Sequence, residues 1–441
     1  MSRLHIPRGL QIRWFSAKEQ MRVIKNVEQL LENKELKHRK HPGKTQLPHI
    51  EFPKWALDTF STLMHDEDIQ KKQIFENAIK LRNHLHSRLV PSEENDINQK
   101  RTVVSSIVSE KLKNRNIDTE AKEKKVNKLA RKILKQHVYN WTQLDYNRFG
   151  CMTYFVARGI QNYYVLSKVF NEIYSYEPDF NPETLFDFGS GIGTVSWVAS
   201  KLWSKSLKEY VCIDSSGDMN TFAEQLLKDA TPSVNNVYYR QFFPAAADPT
   251  YDVVVSAYSL LELPDRKARL QTIGKLWRKT NKYLVIVEEG TNAGFKIVEE
   301  ARDFVLHYRS REKKPIPGYI ISPCPHDLSC PRFKMDDTPC NFQISYLTSP
   351  IFGTQTRLME KYSYVILKKG SRPEDDVRWP RIIRPTMKRS RHVVCRMCTP
   401  SGELKEEIFT TFKNGKNTYR CARVCNWGDR LPFEYRKPES E

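Results

Sequence analysis

The chain has 441 residues, with 72 Lys or Arg against 52 Asp or Glu, which gives a formal net charge of +20. This length allows two or more domains with a sizeable core, and such a positive excess favours a polyanionic partner such as RNA. Because no apolar run approaches the roughly 20 residues that a transmembrane helix needs, we expect no membrane span.

The first residues have the composition of a mitochondrial presequence. Arg3, Arg8 and Arg13 are interleaved with apolar residues, and the first acid is Glu19. Segments that carry Arg and lack acids are typical of import into mitochondria. We therefore predict a transit peptide at residues 1–16 and a location in the mitochondrial matrix. A basic tail without a targeting role is the alternative.

Residues 17–140 are predicted to form a basic, helical N-terminal region. Apolar residues recur at helical spacing within 24–31 and again within 126–134. Residues 98–135 carry 12 Lys or Arg and four acids. This segment either contacts RNA or forms a solvated, charged helix.

Residues 141–310 alternate between short apolar strands and helical stretches. The strands are predicted at residues 184–188, 210–214, 251–256 and 283–288, and the first helix includes residues 195–199. Strands that alternate with helices in this way form a mostly parallel sheet. The predicted fold class is therefore α/β, with a Rossmann-like sheet of the class I methyltransferase type.

A glycine-rich turn between the first strand and the first helix predicts a nucleotide cofactor site. Glycine allows close approach of the backbone to a ligand while the chain turns from strand into helix. Asp214, at the end of the next strand, could bind a ribose, and Asp187, just before the turn, favours S-adenosylmethionine over NAD by accepting from the methionine amino group. The predicted cofactor-binding residues are Asp187, Gly189, Ser190, Gly191, Gly193, Asp214 and Ser256.

The segment after the third predicted strand lacks the motifs of known base methyltransferases. It offers the hydroxyls of Ser256, Tyr258 and Ser259, and neither a nucleophilic cysteine nor a general base is recognisable. We therefore predict cofactor binding with little or no catalysis, and the catalytic residues remain unassigned.

Nine cysteines, seven of them in the last third of the chain, indicate metal ligands rather than a disulfide scaffold. Cys324, Cys330 and Cys340 lie in a proline-rich loop, and Cys395 or Cys398 could supply a fourth thiolate. Thiolate ligands suit zinc or an iron–sulfur cluster. In a second arrangement His326 completes the first three, and a separate zinc site uses Cys395, Cys398, Cys421 and Cys425. We interpret Cys151 and Cys212 as buried structural residues.

Residues 378–396 form a basic ribbon with seven Lys or Arg and no acid. Arginine pairs with phosphate in bidentate fashion and stacks on bases. The predicted RNA contacts are Arg378, Arg381, Arg384, Lys388, Arg389 and Arg391, with a solvated charged surface as the alternative.

Several motifs between about residues 140 and 435 resemble the methyltransferase-like mitochondrial small ribosomal subunit assembly factors. They lie at residues 187–191, 288–295, 324–331, 379–381, 391–395 and 419–423. The resemblance implies binding to small-subunit rRNA and the assembling small ribosomal subunit, in support of mitochondrial translation.

It also implies a [4Fe–4S] cluster on Cys324, Cys330, Cys340 and Cys395, within a cysteine-rich rRNA-binding region at residues 311–441. We expect a monomer when the protein is free. An active rRNA methyltransferase and a zinc-stabilised RNA-binding module are the alternatives.

Overall fold

The computed structural model describes residues 20–45, 47, 49–91, 93–111, 124–130, 132–133, 144–244, 249–308, 316–335 and 338–436. The predicted transit peptide and much of the basic segment at 98–135 lie outside the described residues. No helix in the described ranges combines the length and apolar character required to cross a membrane.

Helices dominate the chain ahead of the central sheet. Apolar residues at helical spacing bury one face of each, as Ala56, Phe60 and Met64 do in the second helix. The elements are β1 (Gln20–Val23), α1 (Lys25–Glu32), α2 (Lys54–Asp66), α3 (Lys71–Ser87), α4 (Glu94–Lys111), α5 (Arg148–Tyr154) and α6 (Ile160–Tyr176). A π-helical turn, Phe155–Gly159, joins α5 to α6.

An eight-stranded sheet forms the centre of the molecule. Its strands are β2 (Thr184–Phe188), β3 (Glu209–Ile213), β4 (Val237–Arg240), β5 (Tyr251–Ala257), β6 (Thr280–Glu289), β7 (Gly318–Ser322), β8 (Phe342–Leu347) and β9 (Arg357–Lys369). Their order is β4-β3-β2-β5-β6-β9-β7, and β8 also pairs with β9. The first five are parallel, and β9 runs antiparallel to β6. This arrangement confirms the predicted α/β class and the four predicted strands.

Helices cover both faces of the sheet. They are α7 (Thr194–Leu202), α8 (Gly217–Leu227), α9 (Arg266–Lys279) and α10 (Asn292–Leu306). One apolar core contains Phe170 of α6 and Trp197 of α7, whereas a second contains Trp277 of α9 and Ile297 of α10. Burial on both faces explains why the central strands are almost continuously apolar.

A smaller unit follows the sheet. It contains β10 (Arg381–Ile382), β11 (Met387–Lys388), β12 (Val393–Cys398), β13 (Leu404–Phe409), α12 (Thr411–Asn414), α13 (Lys416–Val424) and β14 (Phe433–Arg436), whereas α11 (Pro331–Met335) lies between β7 and β8 along the chain. Strand β12 pairs with β10, β11 and β13. The core of the smaller unit includes Ile382, Met397, Phe409 and Leu431.

The chain does not divide at the predicted domain limits. Residues after 310 supply β7, β8 and β9 to the central sheet. At the other end, β1 pairs with β14, and Met21 and Val23 enter the core of the smaller unit. The N-terminal region predicted as helical therefore also includes a strand that belongs with the C-terminal residues.

Candidate functional site

A cavity of about 510 Å³ lies at the carboxyl ends of the parallel strands. Gly189 and Gly191 follow β2, Asp214 follows β3, Tyr258 follows β5, and Glu289 ends β6; all five line the cavity. In open α/β sheets this edge, where strand order reverses, is where ligands bind. The structure therefore supports a ligand pocket at the predicted glycine turn.

The glycine turn has a backbone that other residues could not adopt cheaply. Gly189 and Gly191 have positive φ values of +70° and +50°. A Cβ atom added to Gly189 would lie 2.3 Å from the Cβ of Ser259, whereas one on Gly191 would come no closer than 3.9 Å to the Tyr154 ring. The main chain of the turn thus forms one wall of the cavity without side chains.

Asp214 connects the turn to the neighbouring strand. Its Oδ2 accepts a hydrogen bond from Gly191 N at 2.9 Å, and its Oδ1 accepts one from Ser216 N at 2.9 Å. Burial raises the pKa of Asp214 above its usual value, against the effect of these two hydrogen bonds. Since each carboxylate oxygen can accept a second hydrogen bond, Asp214 retains the capacity to bind a ribose.

Four of the predicted cofactor residues do not line this cavity: Asp187, Ser190, Gly193 and Ser256. Asp187 is fully buried, and within the described ranges neither carboxylate oxygen has a hydrogen-bond partner. Burial, assisted by the charge of Asp214, raises its pKa well above the usual value. Ser256 is occupied by a 2.7 Å hydrogen bond with Ser259 Oγ.

The opposite wall of the cavity comes from the helical elements. Tyr154 and Arg158 line it from the elements ahead of the sheet. Arg88, just after α3, also lines it and forms a 2.5 Å ion pair with Glu262. No local pattern predicts Arg88 at this cavity, because its pairing with Glu262 joins segments 174 residues apart.

A second, narrow cavity is lined by four thiols from separate segments: Cys324, Cys330, Cys340 and Cys398. Burial raises the pKa of each thiol, and in Cys340 it reaches about 12. His326 lies beside them, with its Nε2 3.2 Å from Cys398 Sγ. Burial lowers the pKa of His326 to about 4, so this ring is neutral near pH 7.

The prediction that Cys395 joins the first three cysteines is wrong. Side chains alternate across a strand, so residues three apart on β12 point to opposite faces. Cys395 lies in the core of the smaller unit with Cys421 and Cys425, whereas Cys398 lines the thiol cavity. The alternative zinc site that joined Cys395, Cys398, Cys421 and Cys425 is contradicted by the same geometry.

His41 lies beside Cys425, one of the cysteines in the core of the smaller unit. Its Nε2 lies 3.1 Å from Cys425 Sγ, and both residues are fully buried. Within the described ranges, no three or more His, Cys, Asp or Glu side chains are arranged so that they could hold a metal ion. Cys151 and Cys212 are fully buried in the larger unit, as predicted for structural residues.

The prediction that Arg381 contacts RNA is also wrong, because its side chain is 2% exposed. Its guanidinium pairs with Glu172 of α6 at 2.9 Å and donates to Ser322 Oγ at 2.7 Å and to Gly428 O at 2.6 Å. Burial opposes both charges, but their mutual attraction raises the pKa of Arg381 and lowers that of Glu172. Arg381 therefore fastens the smaller unit to the sheet.

The other residues of the basic ribbon differ in accessibility. Arg384 is half-buried and donates to Pro339 O at 3.2 Å. Arg378, Lys388, Arg389 and Arg391 are exposed, and no ion-pair partner of theirs occurs in the described part of the chain. These four remain available to a polyanion.

Helix α13 extends this exposed charge. Lys416 and Arg420 are exposed while Cys421 and Ala422 are buried, so one face of the helix is basic and the other is apolar. Arg423 Nη1 donates to Arg389 O at 2.6 Å, which places α13 against the β11–β12 hairpin. We call Lys388, Arg389, Arg391, Lys416, Arg420 and Arg423 the basic face. The helical spacing of its last three members was a signal that the sequence analysis missed.

Comparisons with known proteins find relatives among mitochondrial ribosomal and ribosome assembly proteins. The family model described as "Mitochondrial small ribosomal subunit Rsm22" matches residues 148–432. The human protein named "Ribosome assembly protein METTL17, mitochondrial" is 38% identical over 403 residues, which are 90% of this chain and 86% of that protein. The "Rsm22-cox11 tandem protein 2, mitochondrial" of Schizosaccharomyces pombe is 30% identical over 228 residues, which are 43% of this chain and 30% of that protein.

The names of these relatives confirm the predicted mitochondrial location. Among solved structures, the magnesium protoporphyrin IX methyltransferase of Synechocystis with bound SAM covers 52% of this chain and 100% of its own, at 13% identity and a TM-score of 0.29. A similarity this distant carries no argument about function.

Proposed function

We propose that this chain, which belongs to the mitochondrial small ribosomal subunit Rsm22 family, is a mitochondrial ribosome assembly factor that binds small-subunit rRNA. Support comes from the human relative, which is named a ribosome assembly protein and aligns with 90% of the chain. The net charge of +20 is suited to a polyanion, since each phosphate that a cation neutralises releases a condensed counterion.

The basic face is the surface that we assign to rRNA contact, together with Arg378. It combines a helix and a hairpin whose cations have no carboxylate partner among the described residues, so their charge is available to phosphate. Tyr419, half-buried between them, places its hydroxyl 3.2 Å from Arg423 Nη1 and supplies an aromatic surface beside the cations. Aromatic and guanidinium planes next to each other suit unpaired bases.

The observation that carries the proposal most directly is the convergence of Cys324, Cys330, Cys340 and Cys398 on one cavity. An all-thiol donor set suits a soft metal centre, and we assign the [4Fe–4S] cluster to these four residues, which would have to move closer together to hold it. The surrounding charge fits, because Arg302 and Arg381 lower the pKa of Cys324 while Arg332 and Arg384 lower that of Cys340, against the effect of burial. Thiolates of such a cluster are therefore neutralised by nearby guanidinium groups.

Ligation at this cavity would have a structural consequence. Cys398 belongs to β12 of the smaller unit, whereas Cys324 follows β7 of the central sheet. A centre that binds both would fasten the two units beside the Arg381–Glu172 ion pair. Metal binding and local folding are one thermodynamic event. A cluster bound at the thiol cavity would therefore stabilise the part of the smaller unit that supports the basic face.

We assign S-adenosylmethionine to the 510 Å³ cavity. Gly189 and Gly191 provide the close backbone approach, and Asp214 provides a carboxylate for the ribose. The bound cofactor would supply an activated methyl group, and this chain's own residues would bind and orient it. Within the assembly function, the cavity serves cofactor binding whether or not a methyl group is transferred.

The thiol assignment is tested by anaerobic purification of the full chain with iron and sulfide analysis. We expect roughly four irons and four sulfides per chain. Cys398→Ser should lose them, whereas the matched variant Cys395→Ser should retain them because Cys395 lies on the opposite face of β12. Zinc in place of iron, or loss in Cys395→Ser with retention in Cys398→Ser, would refute the assignment.

A further inference from the structure

One end of the cofactor cavity is unusually polar. The strand order places Asp214, after β3, on one side of the glycine turn, and Tyr258 and Glu289, after β5 and β6, on the other side. Arg158 reaches this second side from the helical wall, with its guanidinium carbon 5.0 Å from the centre of the Tyr258 ring. A ligand whose ribose lies at Asp214 would therefore extend its other end toward these three residues.

Three polar atoms at this end have no hydrogen-bond partner among the residues that the structure describes. They are Arg158 Nη2, the Tyr258 hydroxyl and Glu289 Oε2, and their residues are 3%, 8% and 5% exposed. His86 Nδ1 lies 3.5 Å from Glu289 Oε2, beyond the length of an ordinary hydrogen bond. Buried polar atoms are rarely left unpaired, because they lose their hydrogen bonds to water without replacement. The set of two donors and one acceptor thus indicates a missing ligand.

The three side chains are also held in place. Arg158 belongs to the π-helical turn Phe155–Gly159, a feature that occurs often at functional sites. Its Nη1 is fixed by Glu360 at 3.0 Å and Glu289 at 3.5 Å, whereas Nη2 has no hydrogen-bond partner in the described part of the chain. Tyr258 adopts a left-handed φ of +59°, a strained conformation for a residue with a side chain.

We propose that Arg158, Tyr258 and Glu289 form a subsite for an α-amino acid group, with the carboxylate on Arg158 Nη2 and the Tyr258 hydroxyl and the ammonium on Glu289 Oε2. This inference rests on the proposed cofactor and assigns the methionyl end of S-adenosylmethionine to the subsite. The carboxylate of the zwitterion then meets the positive guanidinium and the neutral hydroxyl donor, and its ammonium meets the negative carboxylate.

The subsite replaces Asp187 as the partner of the amino group. Asp187 does not line the cavity, and burial together with Asp214 raises its pKa, so its carboxyl group is a poor acceptor for a cation. Burial also acts to raise the pKa of Glu289, but Arg158 and His86 outweigh it and lower the pKa below its usual value. Glu289 is therefore the ionised carboxylate at the cavity.

Two ligands that differ only in the amino acid part test the subsite. S-adenosylhomocysteine carries it, whereas 5′-methylthioadenosine lacks it and retains the nucleoside. Isothermal titration of the full chain should show tighter binding of S-adenosylhomocysteine. Arg158→Gln and Tyr258→Phe should weaken that ligand by about tenfold to a hundredfold, the range for a lost hydrogen bond to a charged group. Neither variant should change the affinity for 5′-methylthioadenosine by more than about twofold, the signature of an intact nucleoside site.

Arg148→Gln is the matched control, because Arg148 pairs with Glu67 at 2.6 Å and does not line the cavity. It should leave both affinities unchanged. If the wild-type chain binds neither ligand, the proposed cofactor pocket is wrong, and the subsite with it. If the wild type binds S-adenosylhomocysteine and Arg158→Gln binds it equally well, or loses both ligands equally, only the subsite assignment is overturned.

Discussion

Replacement of Arg381 by alanine separates a structural role from an RNA-binding role. The guanidinium makes five hydrogen bonds, to Pro323 O, Gly428 O, Ser322 Oγ and both carboxylate oxygens of Glu172. Truncation would leave Glu172 buried, with Lys168 Nζ 3.8 Å away as its nearest cation. Breaking a buried pair by removal of one partner costs about 3–5 kcal/mol.

We therefore expect the urea midpoint of unfolding to fall by roughly 1 M or more, if the slope is about 3 kcal/mol per molar or less. Circular dichroism at increasing urea concentration measures this shift. Arg389→Ala is the matched control: its side chain is exposed, so its stability should change by no more than about 0.5 kcal/mol. RNA affinity should fall in Arg389→Ala and stay near the wild-type value in Arg381→Ala. An Arg381→Ala protein with wild-type stability and weakened RNA binding would refute the reasoning.

Three further outcomes follow from the described contacts. Gly189→Ala should abolish S-adenosylhomocysteine binding and lower the melting temperature, since its Cβ would lie 2.3 Å from Ser259 Cβ, while Gly191→Ala should be milder. Arg420→Ala should lower the slope of log affinity for RNA against log salt by about one, because one cation contact is lost. Glu288→Gln should flatten the dependence of stability on pH, because burial raises the pKa of Glu288 to about 8.

The sign of the Glu288 effect follows from linkage. The folded state keeps the proton between the unfolded pKa of 4.5 and the folded value of about 8. The stabilisation is therefore complete below pH 4.5 and is lost as the pH rises toward 8. Urea unfolding at several pH values measures it. The Glu288 prediction is wrong if wild type and Glu288→Gln show equal pH profiles of stability. The Arg420 prediction is wrong if wild type and Arg420→Ala show equal salt slopes. The glycine prediction is wrong if Gly189→Ala and Gly191→Ala have equal effects.

The central sheet was predictable because its signals are local. The strand at 184–188, the glycine turn and the acid at Asp214 occur in order within about 30 residues, and the structure places all three as expected. The sequence could not show that Arg88 and Glu289 complete the cavity, because their positions depend on elements packed together from distant parts of the chain.

The choice between Cys395 and Cys398 shows how a local rule was missed. Residues 393–398 include Val393 and Val394, and a strand there would have placed the two cysteines on opposite faces by the two-residue period. Arg381 is a different case. It stands in a run of cations that reads as a solvated ribbon, and its burial depends on Glu172, which is 209 residues away in the sequence. No local sequence pattern predicts such an ion pair.

These two corrections lead to one structural argument. Strand β12 carries Cys398 on the face toward the thiol cavity and Cys395 on the face toward the core that buries Cys421 of α13. The basic side of α13 is the opposite side of that same helix. A change in the position of β12 at the thiol cavity must therefore alter the packing that supports the basic face. On this geometry we propose that a cluster at the thiol cavity would affect RNA binding through strand β12, without contact to the RNA.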